Sequence, residues 1–159
     1  NKINLDIFFY FQLKTITSFL TGIFTFIILF FLENDLAPTF GILSFFLNFI
    51  PFIGSLLSIL LPFIFSAVQF LNFFEPTLTF FLLLLIQIYI GNFLEPKLMG
   101  KTLNISPLVM IIFLTIMGKI WGVAGMFLSV PLLVIILIIL RNMKSTKKIA
   151  IMLSEKGEL

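Results

Sequence analysis

The sequence predicts an all-α fold, a polytopic integral membrane helical bundle with about six hydrophobic helical segments. Of its 159 residues, 60% are hydrophobic and 11% are charged, whereas an ordinary soluble domain has about 25% charged residues. The charges are also clustered, so that five long stretches contain no Asp, Glu, Lys or Arg. Two of these stretches are expected to form hairpins that Pro or Gly residues interrupt. Each of these hairpins either crosses the membrane or is re-entrant, entering and leaving it on the same side. We therefore expect a lipid bilayer around most of the chain.

Three uncharged stretches have the length of one membrane span each. They contain 18, 19 and 21 residues, and they are Thr15–Leu32, Pro76–Leu94 and Ile120–Leu140. An α-helix that rises about 1.5 Å per residue crosses a hydrocarbon core of about 30 Å in about 20 residues. Each of the three stretches is therefore expected to form one spanning helix.

The uncharged stretch Leu36–Phe74 is expected to form two helices that meet at a turn. It has 39 residues, about twice one span, and Pro51 and Gly54 interrupt it. The first arm, Thr39–Ile50, would extend only about 18 Å, which is too short to cross an unthinned bilayer. Lipid offers no hydrogen-bond partners to irregular backbone. The turn therefore either closes a plain hairpin near one interface or lines a water-filled pathway.

The uncharged stretch Thr102–Gly118 is expected to contain a second short arm. Its helical part, Asn104–Met117, would extend about 21 Å before the glycine. Two interrupted hairpins in one small chain favour a solute pathway, because broken helices near the membrane midplane expose backbone groups to solutes in many transporters.

Polar and turn residues within these segments are the candidate residues of that pathway. An amide or a charge in hydrocarbon is costly unless it is bonded, so such residues mark functional positions. The candidates are Asn48, Pro51, Gly54, Gln69, Gln87, Glu95, Lys97 and Lys101. Small residues at helical spacing have another explanation, because they let membrane helices approach closely. On that basis the helix-packing candidates are Gly118, Gly122, Gly125 and Ser129.

Glu95 has two interpretations. Pro96 disfavours helical geometry at Glu95, so the preceding helix is expected to end close to it. The carboxylate is then either a solvated loop acid paired with Lys97 or Lys101, or an intramembrane acid that relays protons or binds cations.

The distribution of basic residues predicts that both ends of the chain are cytoplasmic. Six segments place most lysines on one side, which the positive-inside bias assigns to the cytoplasm, with Lys119 as the exception. Glu33, Asp35 and Glu75 then lie outside. Residues 1–159 are expected to form a single transmembrane domain in which 141–159 is a short basic cytoplasmic tail. That tail is either a stop-transfer signal or a site for anionic lipid.

The composition excludes most catalytic chemistry. Histidine and cysteine are both absent, which removes the common zinc, haem and thiol sites, so we expect no metal, no cofactor and no enzyme activity. An intramembrane enzyme is a distant third function, because Asp6 and Asp35 lie at segment ends. The net charge of +3 is too small to predict nucleic-acid binding.

Three blocks of the sequence resemble the autoinducer-2 exporter-like family of polytopic transporters. They are LNFIPFIGSLLSILLP at 47–62, NFLEPKLMGKTLNISPLV at 92–109 and MGKIWGVAGMFLSVPLLVIIL at 117–137. The chain is similar to the C-terminal half of a member, and it has Ser106 and Lys97 where members commonly have His and Arg. By this resemblance, the characteristic residues of the family correspond to Asn48, Pro51, Gly54, Glu95, Pro96, Met99, Gly100, Pro107, Gly122, Gly125 and Pro131.

The resemblance implies a homo-oligomeric, multi-pass transporter of the bacterial cytoplasmic membrane. Its expected cargo is a small hydrophilic solute, such as an autoinducer-2-like signalling molecule, or a cation exchanged for protons. The alternatives are a non-transporting membrane scaffold or assembly subunit and an inactive truncated transporter fragment. The scarcity of charge inside the membrane and the small-residue stripes motivate the scaffold hypothesis.

Overall fold

The structure is a computed structural model that describes residues 2–99, 106–142, 146 and 151–153. The described part contains helices and no strand, which confirms the predicted all-α class. The helices are α1 (Lys2–Phe31), α2 (Ala37–Leu47), α3 (Ile53–Gln69), α4 (Phe74–Ile88), a π-helical segment (Tyr89–Leu94), α5 (Glu95–Met99) and α6 (Pro107–Asn142).

Three helical regions are long and apolar enough to cross a membrane. They are Phe8–Phe31, Phe74–Leu98 and Pro107–Leu140. Helices α2 and α3 have 11 and 17 residues, so they extend only about 17 and 26 Å. The short first arm of the predicted hairpin therefore exists, while the count of six segments remains a prediction.

The described chain packs as two compact units, each with its own apolar core. One unit comprises Asn1–Leu13 and Met99–Leu159, and its buried core consists of Tyr10, Leu13, Val130, Leu133 and Val134. The other unit is Lys14–Leu98, whose core consists of Leu29, Ala37, Phe40, Ile59 and Leu83.

Helix α1 ends in a Schellman motif that turns the chain into α2. Glu33 has a positive φ of 54°. Its N–H donates to the carbonyl of Phe30, and the Asn34 N–H donates to the carbonyl of Leu29. This pattern satisfies two carbonyls of the last helical turn. The Asn34 side chain then accepts from the Leu36 N–H at 3.0 Å, which prepares the start of α2.

Helix α6 reverses direction at Gly122 and consists of two arms. Gly122 has φ 62° and ψ −142°, a conformation that is essentially confined to glycine. A Cβ placed on Gly118 would lie 2.7 Å from the Met126 Cε, although eight residues of straight helix would separate these positions by about 12 Å. A hairpin was expected here from the break at Gly118, but its reversal lies four residues later.

The expectation that the helix ends close to Glu95 is wrong. The chain widens into the π-helical segment and then continues as α5 to Met99. Pro96 is the second residue of α5. The N–H groups of a first helical turn have no partner within their own helix, so the N–H that proline lacks removes no hydrogen bond from α5. π-Helical turns are rare and are frequent at functional sites.

Candidate solute pathway

One face of α1 is lined by buried hydroxyl side chains. Thr17, Ser18, Thr21 and Thr25 are buried, while Thr15 is exposed. The Thr17 and Thr21 hydroxyls donate to carbonyls of their own helix, at 3.1 and 2.9 Å. The hydroxyl of Ser18 instead accepts a hydrogen bond from a residue outside α1.

Asn48, which directly follows α2, is buried and bonded to that face. Its Nδ2 donates to the Ser18 Oγ at 3.0 Å. One turn further along α1, Gly22 contacts α2, since a Cβ on Gly22 would lie 2.7 Å from the Gly41 carbonyl oxygen. The two glycines therefore let the helices approach closely, and Asn48 is held beside the polar face.

The turn between α2 and α3 is strained and tightly closed. Phe52 has φ 61° and ψ −59°, and the Ile53 N–H donates to the Pro51 carbonyl at 2.6 Å. This is the positive-φ form of the γ-turn, a rare and strained geometry whose cost is about 1 to 3 kcal/mol. Gly54 follows, and any Cβ there would overlap the Leu47 carbonyl. The predicted turn residues Pro51 and Gly54 are thus brought together with Asn48.

Glu95 forms a buried ion pair with Lys14 of α1. The Lys14 Nζ donates to the Glu95 Oε1 at 2.6 Å, and their side chains are only 9% and 19% exposed. The predicted pairing of Glu95 with Lys97 is wrong, since Lys97 is exposed and has no ion pair among the described side chains. Lys101 and Gly100 lie outside the described residues. Sequence spacing could not reveal Lys14, because it is 81 positions away from Glu95.

Gln69 lies at the opposite end of its unit from the Asn48–Gly54 turn. Its Nε2 donates to the Glu33 carbonyl at 2.7 Å, and its Oε1 accepts from the Asp35 N–H at 3.0 Å. About 22 Å of helix separates Gln69 from Gly54. The structure therefore gives Gln69 a place in the connection between α1 and α2.

Gln87 is the remaining amide candidate, and it lies on α4. Its Nε2 is buried and has no hydrogen-bond partner within the described part of the chain. The same holds for the Ser58 hydroxyl on α3, which is not among the sequence-predicted candidates.

The four helix-packing candidates all lie around the reversal of α6. Gly125 contacts the backbone of the other arm, because any Cβ on it would overlap the Met117 carbonyl. No atom lies within 4 Å of a Cβ placed on Gly122, so the backbone conformation, and not close approach, requires glycine there. Ser129 is buried and donates to the Met126 carbonyl at 2.6 Å. Within the described ranges, no three acidic side chains gather as metal ligands would.

These features define a helical membrane protein with buried polar groups on both sides of an interrupted hairpin and at its far end. The profile of the family described as AI-2E family transporter matches residues 1–145. The chain belongs to this family of membrane transport proteins, which confirms the resemblance seen in its sequence.

The similar proteins are transport proteins by name. The AI-2 transport protein TqsA of Escherichia coli is 40% identical over 146 residues, which cover 92% of the chain and 42% of TqsA. A protein of Borreliella burgdorferi, whose name proposes a transport role, is 40% identical over 158 residues, or 96% of the chain and 42% of that protein. The chain therefore spans about two fifths of the length of these curated relatives.

Proposed function

We propose that the protein is a carrier, not an enzyme, that exports small hydrophilic solutes of the autoinducer-2 kind across the bacterial cytoplasmic membrane. The observation that carries this proposal is the strained turn at Asn48–Gly54 beside the buried polar face of α1. In lipid, such irregular backbone must be covered by protein or must line a wet cavity. The name of TqsA supports the class of solute.

The turn would contact the solute through backbone groups that a continuous helix would consume. The γ-turn at Phe52 replaces regular helical bonds, and Asn48, which precedes the turn, ties it to Ser18 of α1. The Lys14–Glu95 pair lies toward the same end of the unit, where the charges could couple solute movement to a proton or a cation. A homo-oligomeric assembly and a cytoplasmic C-terminus, with Lys97 on the cytoplasmic side, belong to the same proposal.

A non-transporting scaffold is the second candidate. The close contacts of Gly22 with Gly41 and of Gly125 with Met117 are what tight helix assembly requires. A scaffold, however, does not require a strained γ-turn at Phe52, because an unstrained loop would join α2 to α3 at a lower conformational free energy.

Efflux of autoinducer-2 from proteoliposomes separates these two functions. The protein is reconstituted at its full natural length, and protein-free liposomes of the same lipid composition give the leak rate. A carrier empties the vesicles faster than this leak, with a rate that saturates as the autoinducer-2 concentration rises. Folded, reconstituted protein that leaves the leak rate unchanged would contradict export of autoinducer-2 and favour the scaffold.

A further inference from the structure

The buried face of α4 reaches the π-helical segment at Ile90. Leu83 and Ile90 are only 2% and 1% exposed, and they are seven residues apart, which is about two α-helical turns. In an uninterrupted α-helix Leu94, four residues after Ile90, would continue this face. Glu95 would then lie about 140° around the helix axis from Ile90, because each residue turns an α-helix by about 100°. A regular helix therefore continues the buried face with a leucine and turns the carboxylate away.

The structure differs because the π-helical segment contains one extra residue per turn. The Glu95 N–H donates to the carbonyl of Ile90, whereas an α-helix would use the N–H of Leu94. Each later residue thus takes the direction that the residue before it would have, a rotation of about 100°. Lys97, which an α-helix would align with Ile90, is accordingly exposed. The segment therefore selects the carboxylate, and not the leucine, as the partner of Lys14.

Pro96 supplies a physical reason for the extra residue. In an α-helix the ring of Pro96 would clash with the carbonyl four residues earlier, which is that of Asn92. A wider π-helical turn moves this carbonyl away from the ring. The surroundings leave room for the wider turn, since Gly91, Asn92 and Phe93 are exposed. No atom lies within 4 Å of a Cβ placed on Gly91.

We propose that Pro96 is a positioning residue, which holds the π-helical turn that directs Glu95 to Lys14. It acts through the backbone and does not itself contact the solute. Without the proline the segment relaxes to an α-helix, Leu94 faces Lys14, and the ion pair is lost. The assignment rests on the proposed export function for the role of the pair in solute movement, and it deepens that function by identifying what sets the pair.

The test compares the effect of Lys14→Met on the Tm in four backgrounds of the protein at full natural length. They are the wild type, Pro96→Ala, an exchange variant that combines Leu94→Glu with Glu95→Leu, and the exchange variant with Pro96→Ala. Where a carboxylate faces Lys14, Lys14→Met breaks a buried ion pair and should lower the Tm by roughly 5 to 10 °C. Where none does, it removes an uncompensated buried charge, so the Tm should stay the same or rise.

We expect Lys14→Met to lower the Tm in the wild type and in the exchange variant with Pro96→Ala, but in neither of the other two backgrounds. In the exchange variant the π-helical turn directs a leucine to Lys14, and in Pro96→Ala the α-helix does the same. Each change therefore compensates the other. A proline that only stiffens the helix would not produce this compensation.

Two results would overturn the positioning role. One is a fall of the Tm in Pro96→Ala as large as that in the wild type, because the pair would then persist without the proline. The other is a fall in the exchange variant, because its carboxylate would then face Lys14 although Pro96 is present. The exchange variant keeps the proposal testable if Pro96→Ala does not fold, and an unchanged Tm there supports it.

Autoinducer-2 efflux from proteoliposomes separates this role from the export function. The initial rate, normalised to folded protein, should fall at least about threefold in Pro96→Ala and in the exchange variant, and it should recover when the two are combined. Compensation in the Tm without any efflux from the wild type would support the positioning of Glu95 and overturn export. Efflux from the wild type without compensation in the Tm would support export and overturn the positioning role.

Discussion

Breaking the buried Lys14–Glu95 pair is expected to destabilise the protein strongly. The charged atoms are 2.6 Å apart, and at an effective dielectric constant of about 20 their attraction is about 6 kcal/mol. The cost of removing both charges from water offsets most of this attraction. Glu95→Gln nevertheless leaves a buried, uncompensated ammonium, so we expect a loss of about 3 to 5 kcal/mol in the free energy of unfolding. Lys14→Met should cost about as much.

The double variant distinguishes an ion pair from two independent contributions. Lys14→Met combined with Glu95→Gln removes both charges, so its loss should be no larger than that of either single variant. The coupling energy, the sum of the two single losses minus the double loss, is then at least about 3 kcal/mol. Titration with SDS in mixed micelles measures each free energy of unfolding. The matched control is Lys97→Met, an exposed charge two residues from Glu95, which should stay within about 0.5 kcal/mol of wild type. Additive losses in the double variant would refute the reasoning.

Two further predictions concern the hairpin and the orientation. Gly54→Ala should destabilise the protein by about 1 to 3 kcal/mol, because the added Cβ would overlap the Leu47 carbonyl. The control is Gly91→Ala, whose Cβ has no atom within 4 Å. It should be neutral or slightly stabilising in the same SDS titration. Equal effects of the two alanines would contradict the close turn. In this cysteine-free chain, Lys97→Cys should react with a membrane-impermeant thiol reagent from the cytoplasmic side and Asp35→Cys from outside. Reaction of both from one side would contradict the orientation.

Local patterns in the sequence predicted the hairpin but not its internal geometry. Pro51 and Gly54 mark the turn because both residues interrupt helices, and the short arm α2 follows from the spacing of such residues. The γ-turn at Phe52 carries no sequence signal, since a phenylalanine with positive φ is held there by the surrounding structure. In α6 the pattern favoured a break at Gly118, and only the backbone identifies Gly122 as the point of reversal.

Pairings between distant segments could not be predicted from one sequence. Lys14 and Glu95 lie 81 positions apart, and nearer lysines competed for the same carboxylate. Gln69 was a pathway candidate because it is an amide within an apolar segment. Its bonds to Glu33 and Asp35 depend on how the end of α1 meets α3, which the sequence does not reveal.

The central claim, that the solute passes the Asn48–Gly54 turn, is tested most directly by two matched asparagine variants. Asn48 and Asn34 are both buried and donate Nδ2 to a serine Oγ, at 3.0 and 2.9 Å, but they lie at opposite ends of the unit. The measurement is the initial rate of autoinducer-2 efflux from proteoliposomes, normalised to folded protein. Asn48→Leu should slow efflux about fivefold, the equivalent of one hydrogen bond of about 1 kcal/mol, while Asn34→Leu keeps the wild-type rate. Equal rates in the two variants would contradict the claim.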